Sequence, residues 1–134
     1  MREILDLISD LSGISNLKFV GGTSLFLQDV KETISDIDVL VQDLSEISGE
    51  FEIIMIEEPI YKFNGRQRAY FIRENIMVDI FVEANTEEVT VIDEYLNCSS
   101  INAEIAFYER TLKLDLDPER RSQIIADINY LKTI

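Results

Sequence analysis

The chain has 134 residues, 46% of them apolar, and a formal net charge of −14 from 26 acidic and 12 basic side chains. This composition can bury a core without disulfide or metal staples, and it excludes a disordered chain. The acidic balance disfavours long DNA or RNA as a partner. Because the sequence has no histidine, His-based triads and His-ligated zinc sites are excluded as well.

The sequence predicts a soluble protein of a reducing compartment, that is, a cytoplasmic one. Its single cysteine, Cys98, cannot form an internal disulfide. Glu3 and Asp6 lie where a signal peptide would carry its apolar segment. No apolar run approaches the length that crosses a bilayer, so no membrane association is expected.

The N-terminal half predicts helices and strands in alternation. Ile4, Ile8 and Leu11 recur at helical spacing before Gly13, which predicts an amphipathic helix over Arg2–Ser12. The elements expected after it are a strand at Leu17–Val20, a helix at Thr23–Asp29, and strands at Ser35–Val41 and Phe51–Ile56.

The C-terminal half predicts a hairpin or meander followed by two helices. Residues 59–83 would form the meander, with turns expected at Asn64-Gly65 and Glu74-Asn75. The nearly continuous apolar run Ile76–Val82 is typical of a central strand. Two helical patterns follow Ile101, and the second begins at Pro118 with Asp117 as its cap.

These elements predict an α+β (mixed α/β) fold in one domain, residues 1–134. A mixed β-sheet would carry helices packed on it and a C-terminal helical pair.

The stretch "SDIDVLV" places two acids where one cation could meet both. Residues two apart in a strand face the same way, so Asp36 and Asp38 project together. Two adjacent carboxylates repel each other, and a divalent cation such as Mg²⁺ removes that cost. Two aspartates at a strand end in water are the alternative interpretation.

Asp79 is a third acid, set in the apolar strand "IMVDIFV". A lone buried carboxylate costs several kcal/mol, on the order of the unpaired-charge penalty. Either an ion pair with Arg68 or Arg73, or a metal shared with Asp36 and Asp38, would remove that cost.

The segment Gly21-Gly22-Thr23-Ser24 separates a predicted strand from a predicted helix. Glycines let a backbone turn tightly and let a ligand approach closely. The start of the following helix would attract an anion, and the two hydroxyls would cap the helix or donate to a phosphate. A plain turn with a Ser or Thr cap is the alternative.

The basic residues fall into two clusters despite the acidic balance. The first comprises Lys62, Arg66, Arg68 and Arg73, and the second comprises Arg110, Lys113, Arg120 and Arg121.

A Gly-Gly turn opening a helix, a D-x-D strand and a later third Asp resemble the nucleotidyltransferase superfamily, which has a DNA polymerase β-like fold. The matching stretches are "VGGTSLFLQDVKETISDIDVLV" and "VDIF". Within the superfamily, "GGTSL…DIDV" and the tail "LKLDLDPERRSQIIADINYL" look most like the small bacterial AbiEii-type nucleotidyltransferase-like proteins.

The resemblance implies transfer of an NMP from an NTP such as ATP to a hydroxyl acceptor, with release of pyrophosphate. Asp36 and Asp38 would hold two Mg²⁺ or Mn²⁺ ions, and Asp79 would complete the acceptor-side metal and accept the proton. Phosphates would bind at the Gly-Gly turn, through backbone N–H groups of Gly22–Ser24, and at the active-site-facing lysine. The phosphate-binding residues implied in this way are Gly21, Gly22, Thr23, Ser24 and Lys113.

The acceptor is left open between a protein, a small molecule and a tRNA end, with a partner protein in a toxin–antitoxin setting implied by the family. Relatives often carry an Arg and a Ser or Thr ahead of D-x-D, where this chain has Glu32 and Ile34. A catalytically inactive binding or regulatory module is therefore the alternative. An acidic Ca²⁺-binding domain is a third interpretation, disfavoured because no D-x-D-x-D-G loop is present.

Overall fold

The computed structural model describes residues 2–47, 49, 51–56, 67–83, 89–92 and 95–134, and residues 89–92 by their backbone alone. Its fold is mixed α+β, as predicted. The helices are α1 (Arg2–Ser12), α2 (Gly21–Leu27), α3 (Ile101–Thr111) and α4 (Pro118–Leu131). The strands are β1 (Lys18–Phe19), β2 (Ile37–Val41), β3 (Ile54–Ile56), β4 (Gln67–Arg73), β5 (Ile76–Val82), β6 (Val89–Ile92) and β7 (Leu96–Ser99).

The strands form one sheet in the order β3-β4-β5-β2-β1-β7-β6. Two pairs are parallel, β2 with β5 and β1 with β7, and the other pairs are antiparallel. The prediction that Ile76–Val82 is an interior strand is confirmed, because β5 pairs with β4 on one side and β2 on the other.

Side-chain alternation gives the central strands one wholly apolar face and one mixed face, here called the polar face, which carries Asp38 and Asp79 beside Leu40 and Phe81. Ile37, Val39 and Val41 of β2 are completely buried, and they form the core together with α1 and with core-facing residues of the neighbouring strands, such as Val78 and Ile80 of β5. Four apolar residues of α1 cover this face: Ile4, Leu7, Ile8 and Leu11. Each such side chain contributes about 1.5–3 kcal/mol on burial. The opposite face is therefore left to carry the polar residues of β2 and β5.

A two-residue turn fixes the register of the β4–β5 hairpin. Glu74 and Asn75 both have positive φ, 52° and 64°, which matches the tight turn that suits the twist of paired strands. Arg73 is consequently the register partner of Ile76, and Tyr70 is the register partner of Asp79. The turn predicted at Glu74-Asn75 is confirmed, whereas the one at Asn64-Gly65 lies outside the described residues.

The C-terminal helical pair is also confirmed. Asp117 caps α4 by accepting a hydrogen bond from the N–H of Arg120 at 2.8 Å, and Pro118 occupies the first turn. The Arg121 guanidinium donates to the carbonyl groups of Leu112 and Leu114, at 2.9 and 3.0 Å. This contact ties the end of α3 to the start of α4.

Several element boundaries and two strands differ from the sequence prediction. Strands β2 and β3 begin at Ile37 and Ile54, later than the predicted Ser35 and Phe51. Helix α2 starts at Gly21, two residues earlier than expected, because Gly21 adopts φ +57° and brings Gly22 into the first turn. Strands β6 and β7 were not predicted; β7 carries polar Asn97 and Ser99 and is held by pairing with β1 at Phe19↔Cys98. Within the described part of the chain, the helices are too short or too polar to cross a bilayer.

Candidate functional site

Asp38 and Asp79 lie side by side on the polar face of the sheet. They are register partners in the parallel pairing of β2 with β5, so their side chains project from the same face. We refer to them as the acidic pair. Sequence alternation put Asp36 with Asp38, but Asp36 is exposed and precedes β2, which begins at Ile37.

Burial, and after it the charges of neighbouring carboxylates, raises the pKa of both members of the acidic pair. Burial, followed by the charges of Asp79, Glu104 and Asp36, raises the pKa of Asp38 to about 7, against the lowering effect of Arg68. Burial also raises the pKa of Asp79, and Asp36 adds to it while Arg68 opposes it. Three negative neighbours and one positive neighbour thus act on Asp38, an electrostatic setting that a bound cation would relieve.

Arg68 is the cationic partner of Asp79. Its Nη2 lies 3.5 Å from Asp79 Oδ1, with the two side chains 14% and 18% exposed. The ion-pair alternative for Asp79 is thus confirmed with Arg68. Arg73 lies instead 3.7 Å from Asp10 Oδ2, because odd-numbered residues of β4 face α1.

The acidic pair offers two carboxylates as donors to a divalent cation. Among the residues that the structure describes, no three acidic or cysteine side chains come close enough together to hold a metal. The acidic pair supplies two carboxylates, and Mg²⁺ is commonly held by one or two carboxylates together with substrate phosphates. The pair therefore fits one ion brought in with a phosphate ligand. The three-acid, two-ion arrangement stays a prediction.

The Gly-Gly turn lies directly against Asp38. A Cβ placed on Gly21 would be 3.0 Å from Asp38 Oδ2, and one on Gly22 would be 3.2 Å from Lys31 Nζ. Gly21 also has φ +57°, a conformation that disfavours any residue with a side chain. Glycine is needed here for close approach to the carboxylate as well as for the turn.

The hydroxyls of Thr23 and Ser24 serve the fold rather than the pocket. Thr23 Oγ1 accepts from the N–H of Asp38 at 2.8 Å, and Ser24 Oγ donates to the carbonyl of Ser99 at 2.5 Å. Both residues are fully buried, and the N–H of Ser24 donates to the carbonyl of Val20 within the helix. The expectation that these hydroxyls cap α2 is therefore wrong, because the helix has no side-chain cap and both hydroxyls bond inward to β2 and β7. Their predicted contact with a phosphate stays a prediction.

A cavity of about 420 Å³ opens beside the acidic pair, a size that suits a small-molecule ligand. Asp38, Gly21 and Gly22 line it, and so does Arg68, which contacts Asp79; Asp79 itself is not among the lining residues. The charged residues that line it are Lys18, Arg68, Arg110, Arg120, Asp38, Glu83 and Glu104, and the aromatic ones are Phe81, Phe107 and Tyr108. We refer to this cavity as the pocket.

Lys113, predicted to face the site, is exposed in the turn after α3 and does not line the pocket. Helix α3 ends at Thr111, so residue 113 no longer follows the helical face that presents Phe107 and Arg110. A role of Lys113 in binding phosphate stays a prediction. The second basic cluster thus divides: Arg110 and Arg120 line the pocket, and Arg121 holds the end of α3. Lys62 and Arg66 of the first cluster lie outside the described residues.

Several pocket residues were not identified from the sequence. Glu104 is 4% exposed and accepts a hydrogen bond from Ser99 Oγ at 2.5 Å. Lys18 is 5% exposed in the short strand β1. The sequence feature that could have identified them is a charged residue inside an apolar segment, "LKFV" for Lys18 and "AEIAF" for Glu104. The same feature identified Asp79.

Tyr108 lines the pocket, and both burial and nearby acidic side chains affect the pKa of its phenol. Burial raises the pKa of its phenol to about 12, and the charges of Glu104 and Asp127 add to this effect. The hydroxyl therefore stays protonated, as a neutral polar group on the pocket wall.

Comparisons with known proteins do not assign this chain to a family. No protein-family model matches it, and no curated protein matches it either.

Proposed function

We propose that this chain is a metal-dependent nucleotidyltransferase, which moves an NMP from an NTP to a hydroxyl acceptor and releases pyrophosphate. The observation that carries the proposal is the acidic pair, Asp38 beside Asp79, next to the Gly21-Gly22 turn. Two adjoining carboxylates with raised pKa values are a common arrangement where a metal and a phosphate are bound together.

The charge pattern of the pocket supports a compact polyanion as the ligand. Four cations line it together with three acids, in a chain whose net charge is −14: the cations are Lys18, Arg68, Arg110 and Arg120, and the acids are Asp38, Glu83 and Glu104. Arginine forks match phosphate geometry. A triphosphate accompanied by a divalent cation can enter such a pocket, while a long nucleic acid would meet the acidic surface around it.

The aromatic side of the pocket supports a nucleobase. Phe81, Phe107 and Tyr108 line it, and aromatic rings bind bases by stacking with little regard to base identity. Together with the cations, these rings supply surfaces for both ends of a nucleotide.

In the proposed reaction, the acceptor hydroxyl oxygen forms a bond to the α-phosphorus. The bond from that phosphorus to the bridging oxygen breaks, and pyrophosphate leaves with the electron pair. The hydroxyl proton passes to a carboxylate of the acidic pair. Lys18, Arg110 and Arg120 orient the phosphates.

The implied cofactor is Mg²⁺ or Mn²⁺, which when bound neutralises phosphate charge and lowers the pKa of the acceptor hydroxyl. Asp38 and Asp79 are the residues that would hold it, with Asp36 as a third proposed ligand at the entrance to β2. We favour a protein or small-molecule hydroxyl as the acceptor, over a tRNA end, because of the net negative charge. A partner protein in a toxin–antitoxin setting is part of this proposal.

The test is label transfer with NTPs carrying the label at either the α- or the γ-phosphate, in the presence of Mg²⁺ or Mn²⁺ and a cell lysate as the acceptor source. Nucleotidyl transfer moves the α-label to an acceptor and releases the γ-label as pyrophosphate. We expect Asp38→Asn and Asp79→Asn to abolish transfer. Asp6→Asn, an exposed position on α1, is the matched control and should retain it. Transfer of the γ-label, or full activity in Asp38→Asn, would refute the proposal.

A nucleotide-binding module without catalysis is the second candidate. The Arg68–Asp79 ion pair favours it, since an ion pair already offsets part of the charge that a metal would neutralise. It predicts that Mg²⁺ with ATP raises the melting temperature, while no label reaches any acceptor.

A further inference from the structure

Arg68 contacts Asp79 of the acidic pair and also lines the pocket. It pairs in register with Phe81, two residues beyond Asp79 on the same face of β5. From there its guanidinium contacts Asp79, with Nη2 3.5 Å from Oδ1, and its Cζ lies 4.9 Å from the centre of the Phe81 ring. The same side chain lines the pocket together with Asp38.

The contact with Asp79 is loose. A charge-assisted hydrogen bond between nitrogen and a carboxylate spans about 2.7–2.9 Å and is often bidentate for arginine. Arg68 instead makes a single contact at 3.5 Å. Its Nε is buried and has no hydrogen-bond partner among the residues that the structure describes. The guanidinium therefore keeps donors that a further anion could use.

Arg68 supplies positive charge next to the acidic pair, as a bound metal ion would. The negative groups facing the acidic pair are Asp36, before β2, and Glu104, on α3, and Arg68 on β4 is the positive charge that opposes them. A divalent cation at the pair would compete with the guanidinium for the same carboxylate oxygens, because two cations a few ångströms apart repel each other strongly.

We propose that Arg68 is a built-in counterion, which neutralises Asp79 in the metal-free protein and transfers to the phosphate of the incoming nucleotide when the metal binds. This role predicts that metal binding and nucleotide binding are coupled. The metal alone binds weakly, and each ligand increases the affinity of the protein for the other. The transfer to phosphate rests on the proposed function, whereas the competition with a metal at Asp79 does not.

The first experiment measures Mn²⁺ binding to the full chain without nucleotide, from the loss of the free-ion EPR signal. Arg68→Gln should bind one Mn²⁺ about tenfold more tightly than the wild type, because a competing positive charge is gone. Arg73→Gln is the matched control: it removes one charge from the same strand, but at a residue that contacts Asp10. Arg68→Lys should bind Mn²⁺ as weakly as the wild type, and Arg68→Gln/Asp38→Asn should lose the gain.

Equal Mn²⁺ affinities in Arg68→Gln and Arg73→Gln would overturn the counterion role. A second arm repeats the titration with a non-hydrolysable ATP analogue, which should tighten Mn²⁺ binding in the wild type at least fivefold more than in Arg68→Gln. If the metal arm succeeds and the analogue has no effect, the counterion stands and the proposed nucleotide chemistry fails.

The wild-type chain offers an independent readout that does not require Arg68→Gln to fold. The side-chain Nε–H NMR signal of Arg68, assigned by its disappearance in Arg68→Lys, should shift when Mg²⁺ and the analogue are added together. A signal that stays in place while the analogue binds would overturn the transfer of the guanidinium to phosphate.

Discussion

The backbone N–H of Asp38 donates to Oγ1 of Thr23 at 2.8 Å. This bond joins the first turn of α2 to β2, and the carbonyl of Asp38 in turn accepts from the N–H of Val20 at 3.0 Å. The two bonds hold the Gly-Gly turn against the acidic residue that carries the proposed chemistry. The position of the carboxylate thus depends on a buried hydroxyl, which does not itself face the pocket.

Thr23→Val should lower the free energy of unfolding by about 1–3 kcal/mol, because it leaves the N–H of Asp38 without an acceptor. Thr23→Ser keeps the hydroxyl and should recover most of the loss. Thr133→Val, which removes an exposed hydroxyl bonded to the carbonyl of Tyr130, is the control and should change little. Urea denaturation of the three variants measures the effect, and an equal loss in Thr133→Val would contradict this account.

Gly21→Ala should destabilise the fold by about 1–3 kcal/mol, since a side chain at positive φ is strained. The added Cβ would also lie 3.0 Å from Asp38 Oδ2. Gly13→Ala is the comparison: its Cβ would meet the carbonyl oxygen of Asp10 at 3.6 Å, an ordinary contact. Thermal melting compares the two, and Gly21→Ala should also weaken binding of Mg²⁺-ATP. Equal melting temperatures would show that the turn tolerates a side chain.

The stability of the protein should fall as the pH rises from about 4 to 7. The folded state raises the pKa of Asp38 from 3.8 to about 7, so it binds more protons at this carboxyl than the unfolded chain does. The stability that protonated Asp38 contributes is complete below pH 3.8 and is lost by the time the pH exceeds 7. At 1.36 kcal/mol for each pKa unit, the loss is on the order of 4 kcal/mol at most.

Asp38→Asn removes this titration, so its stability relative to the wild type should increase between pH 4 and 8, in buffer free of divalent cations. Urea denaturation at several pH values measures the difference. Asp6→Asn, on the exposed side of α1, should show no comparable trend. A constant difference between Asp38→Asn and the wild type would contradict the raised pKa.

The β4–β5 turn offers a stabilising substitution away from the site. Glu74 has φ 52°, and a glutamate is disfavoured at positive φ. Glu74→Gly should raise the free energy of unfolding by about 0.5–1 kcal/mol by removing that strain. Glu119→Gly, in the first turn of α4, is the opposite control and should destabilise. A drop in melting temperature for Glu74→Gly would show that the Glu74 side chain contributes more than its backbone costs.

Local sequence patterns predicted much of the fold. Helix α1 follows from apolar spacing, the start of α4 from Asp117 and Pro118, and the β4–β5 turn from Glu74-Asn75. Strands β6 and β7 escaped prediction because β7 is short and partly polar, and its pairing with β1 joins residues almost eighty positions apart.

For the cationic partner of Asp79, the sequence left two candidates and the tertiary structure selected one. Arg68 and Arg73 were equivalent by composition. The two-residue turn pairs Tyr70 with Asp79, so the even-numbered residues of β4 share the face of Asp79 and Arg73 faces α1. Once the turn is known, the position of a residue in β4, even-numbered or odd-numbered, decides which face of the sheet its side chain occupies.

The sequence by itself determined which residues could carry chemistry: an acid inside an apolar strand, a D-x-D and a glycine pair are visible because each departs from its local pattern. The tertiary structure decided which of them meet. It set Asp38 against Asp79 and left Asp36 at the entrance to β2, turned Thr23 and Ser24 inward, and lined the pocket with Arg110 and Arg120 instead of Lys113. The physical reason is that side-chain direction depends on strand pairing and helix ends, which are set by contacts between distant segments.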